Sequence, residues 1–375
     1  MPLLAFRPTF RSTRTGLLAA LFALTPPLVG QGWAQQQTVI SGAPSCRRCE
    51  IRLTELLRLG DREGPGIIEH ELVSAARDSR GRYYLHGPYA TEIKVYGPDG
   101  AYLTTIGRVG SGPGEFRGIS FIAIGAGDTI HVLDWSNMTW TVLSPEYGLV
   151  RSVRLEFNPD PNGVVLPSGD LVLVKGIASP ERAGLPVHLV TRDGRNSRSF
   201  GSETRVHRPD IPYVDGRAIA VGTDGNIWLG YRNQYRLELW SPDGRVLRTI
   251  TRDVGWFPSW FRPMSREELC PRGEGEPRPL LSKIHQDENG LLWVATAVAD
   301  RNWREAVTGV ADCHVRIEDW QSYLDTMIEV LEPRSGEVLA ALRWPYPIAE
   351  FLGDGLMGAV VLDDIGEPSF VVWKL

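Results

Sequence analysis

Gly81–Phe116, GRYYLHGPYATEIKVYGPDGAYLTTIGRVGSGPGEF, is the stretch on which the reading of the chain turns. Gly81–His86 opens on a glycine turn and continues as a short, mostly apolar run, which predicts a strand. Thr91–Tyr96 predicts a second strand and Tyr102–Ile106 a third. Between these two stands Gly97-Pro98-Asp99-Gly100. Proline presets φ there and glycine tolerates positive φ, so the four residues predict a tight turn. A glycine-rich run then leads out of the third strand.

Working outward, the same pattern recurs. Gly81–Leu85 aligns with Asp128–Val132, Gly169–Leu173, Gly225–Leu229 and Gly290–Val294. An apolar segment precedes each: Leu72–Ala76, Phe121–Ile124, Gly163–Leu166, Ala218–Val221 and Ser282–His285. Leu85 to Val95 is ten residues, as are Val132 to Val142 and Leu229 to Leu239. A second turn recurs at Pro98-Asp99-Gly100, Arg192-Asp193-Gly194, Pro242-Asp243-Gly244 and Arg334-Ser335-Gly336. A last strand closes each unit: Tyr102–Ile106, Leu149–Val153, Ser197–Phe200, Val246–Ile250 and Val338–Leu342. Four short antiparallel strands, repeated, are the pattern of β-propeller blades. A sandwich also uses short, evenly spaced strands, but the recurring offset and turn favour the propeller.

The ends set the blade number. Ala349–Leu352, Gly358–Asp363 and Phe370–Lys374 supply three strands, and the chain stops at Leu375, one strand short. Ile51–Leu59 (IRLTELLRL), followed by Gly60–Gly66, mimics Tyr102–Ile106 and its glycine tail. The N-terminal strand is therefore expected to complete the last blade, giving an all-β, six-bladed propeller over 51–375 with no open edge between first and last blades.

IGRVGSGPGEF (Ile106–Phe116), with GDTIHVLDWSN (Gly127–Asn137) after it, resembles an NHL repeat. At the level of fold, Ile51–Leu375 resembles the secreted bacterial six-bladed propellers of NHL type. That resemblance implies a protein that binds partners; some relatives are lyases or metal-dependent hydrolases.

Two stretches break the period, at 251–281 and 297–326. The first joins a fourth strand to the next first strand, and the second joins a second strand to a third. In an up-and-down blade those connections emerge on one face, so both insertions are expected over one rim. They hold Trp256, Trp260, Phe261, Trp303 and Trp320, and Ile317, Trp320 and Leu324 have the spacing of a short amphipathic helix. Each insertion carries one cysteine, which makes Cys270–Cys313 the expected pairing. Cys46 and Cys49 precede a strand that starts on the opposite face and are expected to pair together. A redox or zinc role for the CxxC lacks a matching half-site or a thioredoxin-like pattern around it.

The chain has 375 residues, 42% hydrophobic, with a formal net charge of −5. That is ample for a large core, and the mild acidity argues against a nucleic-acid binder. Arg7, Arg11 and Arg14 precede an apolar run, Gly16–Val29, and Gly32-Trp33-Ala34 offers small residues at −3 and −1. Residues 1–34 are read as a signal peptide cleaved after Ala34, followed by an N-terminal segment, 35–50. An uncleaved anchor is the alternative, but Pro26-Pro27 breaks the run and leaves it short for a membrane span. No later stretch is apolar enough to span. The mature protein is expected in the periplasm or outside the cell.

Catalytic motifs are missing. Gly110–Gly114 lacks the ending of a phosphate loop, and Ser111 sits in no nucleophile elbow. The seven histidines show no metal-ligand spacing, although ligands from different blades can converge on the channel. The corners after the second strands share the rim of the insertions and present His86, Asp134, Trp135, Lys175, Tyr231 and Arg232. Such a mix on a concave rim suits a small polar ligand or a peptide; capping strands and meeting solvent is the plainer role. The expectation is a binding module for a peptide, glycan or envelope protein. The alternatives are an enzyme at the channel mouth, with catalytic residues and cofactor unknown, and a structural part of an envelope assembly.

Overall fold

A computed structural model describes residues 36–46, 49–60, 63–70, 73–159, 161–177, 181–182, 184–201, 216–259, 275–311, 314–317, 319–347 and 350–375. Two strands come first, β1 (Gln36–Ser41) and β2 (Thr54–Leu59). Blade 1 follows as β3 (Ser74–Arg77), β4 (Tyr83–His86), β5 (Ile93–Tyr96) and β6 (Tyr102–Ile106). Blade 2 is β7 (Ile119–Ile124), β8 (Ile130–Asp134), β9 (Thr139–Leu143) and β10 (Leu149–Arg154). Blade 3 is β11 (Gly163–Val165), β12 (Leu171–Val174), β13 (Val187–Val190) and β14 (Asn196–Phe200). Blade 4 is β15 (Arg217–Val221), β16 (Ile227–Tyr231), β17 (Arg236–Trp240) and β18 (Val246–Asp253). Blade 5 is β19 (Leu280–Gln286), β20 (Leu292–Ala299), an inserted hairpin of β21 (Val307–Ala311) and β22 (His314–Ile317), then β23 (Leu324–Glu332) and β24 (Glu337–Trp344). Blade 6 is β25 (Glu350–Gly353), β26 (Leu356–Leu362) and β27 (Pro368–Lys374), completed by β2.

Each blade is an antiparallel meander, and the first strands β3, β7, β11, β15, β19 and β25 touch in that order and back to β3. The chain is thus a closed six-bladed β-propeller. β2 pairs antiparallel with β27, Leu59 opposite Phe370 and Thr54 opposite Lys374, so the N-terminal strand closes the ring as expected.

The burial follows from this stacking. Second strands lie between neighbouring blades and are covered on both faces. β4 (YYLH), β8 (IHVLD), β12 (LVLV) and β16 (IWLGY) are accordingly buried at every position. The outer strand β10 (LVRSVR) is mostly exposed. The core divides into clusters that each fill the space between two adjacent blades. One joins Trp228 and Leu237 to Ile284 and Leu292 across blades 4 and 5. Another joins Tyr84 and Val95 to Ile122 and Val132 across blades 1 and 2.

The recurring second turn has a second use at the rim. An outer-strand arginine donates to the turn of the next blade. Arg151 bonds the Arg192 carbonyl, Arg198 Nη1 bonds the Asp243 carbonyl at 2.6 Å, and Arg248 Nη1 bonds the Arg334 carbonyl at 2.7 Å. The turn glycines sit at positive φ, and a Cβ on Gly194 (φ +84) would lie 2.5 Å from the Arg154 carbonyl oxygen. That repeat therefore encodes contact between blades as well as a tight reversal.

The structure departs from expectation in two places. β1 pairs parallel with β18, Thr38 opposite Ile250, and makes blade 4 five-stranded. The spacing of Ile317, Trp320 and Leu324 does not make a helix. Ile317 ends β22 opposite Val307, and Leu324 opens β23 opposite Ala299. Between them Asp319 accepts from the Gln321 backbone at 2.8 Å and from the Ser322 hydroxyl at 2.5 Å, which holds a turn.

Cys46 and Cys49 form a disulfide. The expected Cys270–Cys313 bridge lies outside the described residues, as do Trp260, Phe261 and residues 1–35. Among the described residues no helix is long and apolar enough to cross a membrane.

Candidate functional site

One end of the channel opens into a cavity of about 610 Å³. Five blades supply its wall. Blade 1 gives Val73, Ser74, His86, Pro88 and Tyr89, and blade 2 gives Ile119, Ser120 and Trp135. Asn158, Pro159 and Pro161 come from the connection into blade 3, and Lys175 from its second-to-third-strand corner. Blade 5 sends Trp320 and Gln321 from its insertion, and blade 6 adds Pro347 and Val360. Most of these lie on the fourth-to-first and second-to-third connections, which share one face, and Ser74, His86, Ile119, Ser120 and Val360 lie on the strands themselves.

Trp135 is placed by its neighbours. Asp134 is fully buried, and its carboxylate accepts from the backbone N–H groups of Arg117 (2.7 Å), Ser136 (2.8 Å) and Asn137 (2.8 Å) and from Asn137 Nδ2 (2.9 Å). That fixes the corner. The Trp135 backbone N–H bonds the Gly118 carbonyl at 2.9 Å, and the Trp135 ring lies against Gly118, where a Cβ would be 2.3 Å from Nε1. Glycine is needed here for space. Tyr89 meets Trp135 edge to face with ring centres 5.6 Å apart. Tyr89 is 72% exposed and Trp135 38%, so these rings are not consumed by the core.

His86 ends β4 and is buried. Its Nδ1 lies 3.0 Å from the Gly87 carbonyl oxygen. A carbonyl only accepts, so Nδ1 carries the proton and Nε2 presents a lone pair. Nε2 is buried and has no hydrogen-bond partner among the described residues. Burial pushes the imidazole down to about 4; the Gly87 bond opposes this, and the nearby Lys283 charge adds to it. The ring is therefore neutral at pH 7. Lys283 pairs with Glu350 at 2.5 Å, and burial raises the Glu350 carboxyl despite that pair.

Of the six rim residues expected from sequence, His86, Trp135 and Lys175 line the cavity. Asp134 is turned inward as a corner brace. Tyr231 is buried in blade 4, with the Arg217 guanidinium 3.7 Å above its ring and its hydroxyl 3.2 Å from Glu238. Arg232 offers its carbonyl to the Leu281 N–H at 3.1 Å and does not line the cavity. Of the insertion aromatics, Trp303 is buried and Trp256 packs on Tyr235 and Phe257, whereas Trp320 reaches the cavity. Tyr89, Pro159 and Pro347 sit on connections that do not repeat, so no periodic signal marks them. Among the described residues no group of three or more His, Cys, Asp or Glu side chains is placed to hold a metal ion.

A family model, DUF5128, described as a 6-bladed beta-propeller, matches residues 69–143. No curated protein sequence matches the chain. A Bacteroides fragilis protein described as exported shares 11% identity at a TM-score of 0.58, over 90% of this chain and 99% of its own. A member of the DUF4221 family from Bacteroides vulgatus shares 12% identity at a TM-score of 0.55, over 86% of this chain and 98% of its own. At these identities the likeness is one of fold. Virginiamycin B lyase from Staphylococcus aureus matches at 12% identity and a TM-score of 0.46, over 86% of this chain and 99% of its own. A likeness at that score carries no argument.

Proposed function

We propose that this protein is an exported binding module and that the cavity at the channel mouth is its ligand site. The observation that carries the reading is the wall itself. Five blades contribute to one concavity of about 610 Å³, and the aromatic rings at its mouth stay exposed beside a few polar groups. Enclosed, mostly apolar cavities with a few placed polar groups are the usual form of small-molecule sites. The ligand is a small molecule or the end group of a peptide, glycan or envelope protein. Repeats of NHL type, read at Ile106–Phe116 and Gly127–Asn137, belong to the same proposal. So does export through a signal peptide cleaved after Ala34, which the disulfide of Cys46 and Cys49 supports, since such bonds persist in oxidising compartments.

The test is a ligand-observed NMR screen of small ring compounds and short glycans against the wild type and Trp135→Ala. Ligands of the wild type that Trp135→Ala loses support the site. Ligands that bind both proteins alike, or none at all, overturn it. N-terminal sequencing of protein recovered from the periplasm is expected to start at Gln35; a chain that keeps residues 1–34 refutes the cleavage.

A further inference from the structure

We infer that the cavity takes a flat, largely apolar ring carrying an O–H or N–H donor, a phenol- or indole-like group, and that this donor bonds His86 Nε2. The inference rests on the cavity being the binding site proposed above and goes further by naming the chemistry it selects.

Three observations converge. The first is the held tautomer of His86. The Gly87 carbonyl at 3.0 Å takes the Nδ1 proton, so the second nitrogen can only accept. The second is that this nitrogen is buried and without a partner among the described residues, although the residue lines the cavity. A buried acceptor left unmade is costly, so a ligand that brings a donor to it gains more than one that does not. The third is the shape and polarity of the wall. Val73, Ile119 and the prolines at 88, 159 and 347 make it mainly apolar. Tyr89 and Trp135 form an edge-to-face corner that a further flat ring can join, as aromatic groups prefer offset or edge contacts.

The same observations disfavour the other chemistries. A sugar needs several convergent acceptors for its hydroxyls. Among the described lining residues there is no carboxylate, the acceptor side chains besides His86 are neutral ones such as Ser74, Ser120, Asn158 and Gln321, and the nearby Asp134 already accepts four hydrogen bonds. A carboxylate or phosphate gains nothing from His86 in the tautomer that Gly87 holds, because its oxygens would face the Nε2 lone pair.

The test uses 2-naphthol and 2-methoxynaphthalene, which share a ring and differ in the donor, together with methyl β-glucoside. Affinities come from NMR titration of the full mature chain. In the wild type 2-naphthol is expected to bind about tenfold tighter than its methyl ether, the worth of one hydrogen bond to a buried acceptor. His86→Phe brings the two to parity, whatever it does to the affinity they share. An independent readout needs no variant. In protein labelled with ¹⁵N-histidine, the His86 Nε2 resonance shifts with 2-naphthol and not with the ether.

Equal binding of the two naphthalenes by the wild type, or an unmoved Nε2 resonance with 2-naphthol bound, overturns the donor inference and leaves the cavity reading standing. Binding of the glucoside with both naphthalenes excluded overturns the ring inference in favour of a glycan. Naphthalene binding that Trp135→Ala does not weaken places the ligand elsewhere and overturns the cavity reading itself.

Discussion

Arg252 on β18 and Glu329 on β23 form an ion pair whose side chains are each 2% exposed. Arg252 Nη2 and Nε reach the carboxylate at 2.8 and 3.0 Å, and Nη2 also bonds the Gly42 carbonyl at 3.1 Å. Removing one charge strands the other without water. Glu329→Gln is therefore expected to cost about 3–5 kcal/mol in urea unfolding, and the double change Arg252→Met with Glu329→Leu to recover much of that. A single variant with an unchanged midpoint shows that the pair is solvated in solution. The rim is governed at this same scale. His86, Asp134 and Tyr231 all end second strands, so the repeat that found the corner found all three. Side chains along a strand alternate between faces, and a one-residue difference in where the strand ends decides which of them meets the cavity. That offset is set by packing against the next blade, which the spacing of turns does not record. A related expectation follows for Gly118: Gly118→Ala displaces the Trp135 ring and weakens 2-naphthol binding by about tenfold, the worth of one good aromatic contact, with little change in melting temperature. Unchanged affinity in that variant removes Trp135 from the site.

At the scale of elements, the strands of the ring were legible because they repeat. The glycine turns, the ten-residue offset and the doubly buried second strands appear again and again, and the missing strand of the last blade pointed to Ile51–Leu59. β1 was not legible. QQTVIS has no repeat partner, is mostly polar, and pairs parallel on the outside of a complete blade. Its role shows only in contacts: Thr38 and Ile40 lie against Gly336 of the neighbouring blade, and Gly42 supplies the carbonyl to Arg252. β1 thus straps blade 4 to blade 5 and covers the edge of β18. Deleting residues 35–45 is expected to remove about 2 kcal/mol and lower the melting temperature by roughly 3 °C, with self-association through the uncovered edge. Calorimetry and size-exclusion chromatography of the truncated chain decide this, and a truncated protein that melts with the chain of residues 35–375 and keeps its oligomeric state refutes the strap. The helical spacing read at 317–324 failed for a local reason. Three apolar residues at i, i+3 and i+7 are shared between the end of one strand and the start of another, and Asp319 turns the chain between them.

For the whole molecule, blades 1, 2 and 3 each bury an imidazole whose charged form is disfavoured by that burial. His131 Nδ1 accepts from Trp140 Nε1 at 3.1 Å, so that nitrogen carries no proton. His188 donates from Nε2 to the Lys175 carbonyl at 2.8 Å, and its Nδ1 lies 2.8 Å from the Ser199 hydroxyl. Burial is the first cause that holds His86, His131 and His188 down at about 4. In the unfolded chain each titrates near its ordinary value of 6.5. The unfolded state therefore binds protons that the folded state refuses. The stability they contribute is fully present above about pH 6.5 and is lost as pH falls through 6.5 towards about 4. Carboxylates held low, such as Glu156 beside Arg182, release their share only below the ordinary carboxylate range, while the raised carboxyls of Glu350 and Asp325 take up protons earlier with the opposite sign, so a net fall in stability from pH 6.5 to 5 marks the buried histidines, His285 among them. Over that interval each imidazole is expected to withdraw on the order of 2 kcal/mol. Urea midpoints measured at pH 7.5, 6 and 5 should fall steadily with unchanged slope against urea. His131→Gln keeps an acceptor for Trp140 without a titrating proton, so it should reduce the pH dependence, whatever its cost at pH 7.5. Midpoints that stay level from pH 7.5 to 5 mean that these rings reach water and that the spaces between blades are less tightly closed than their packing shows.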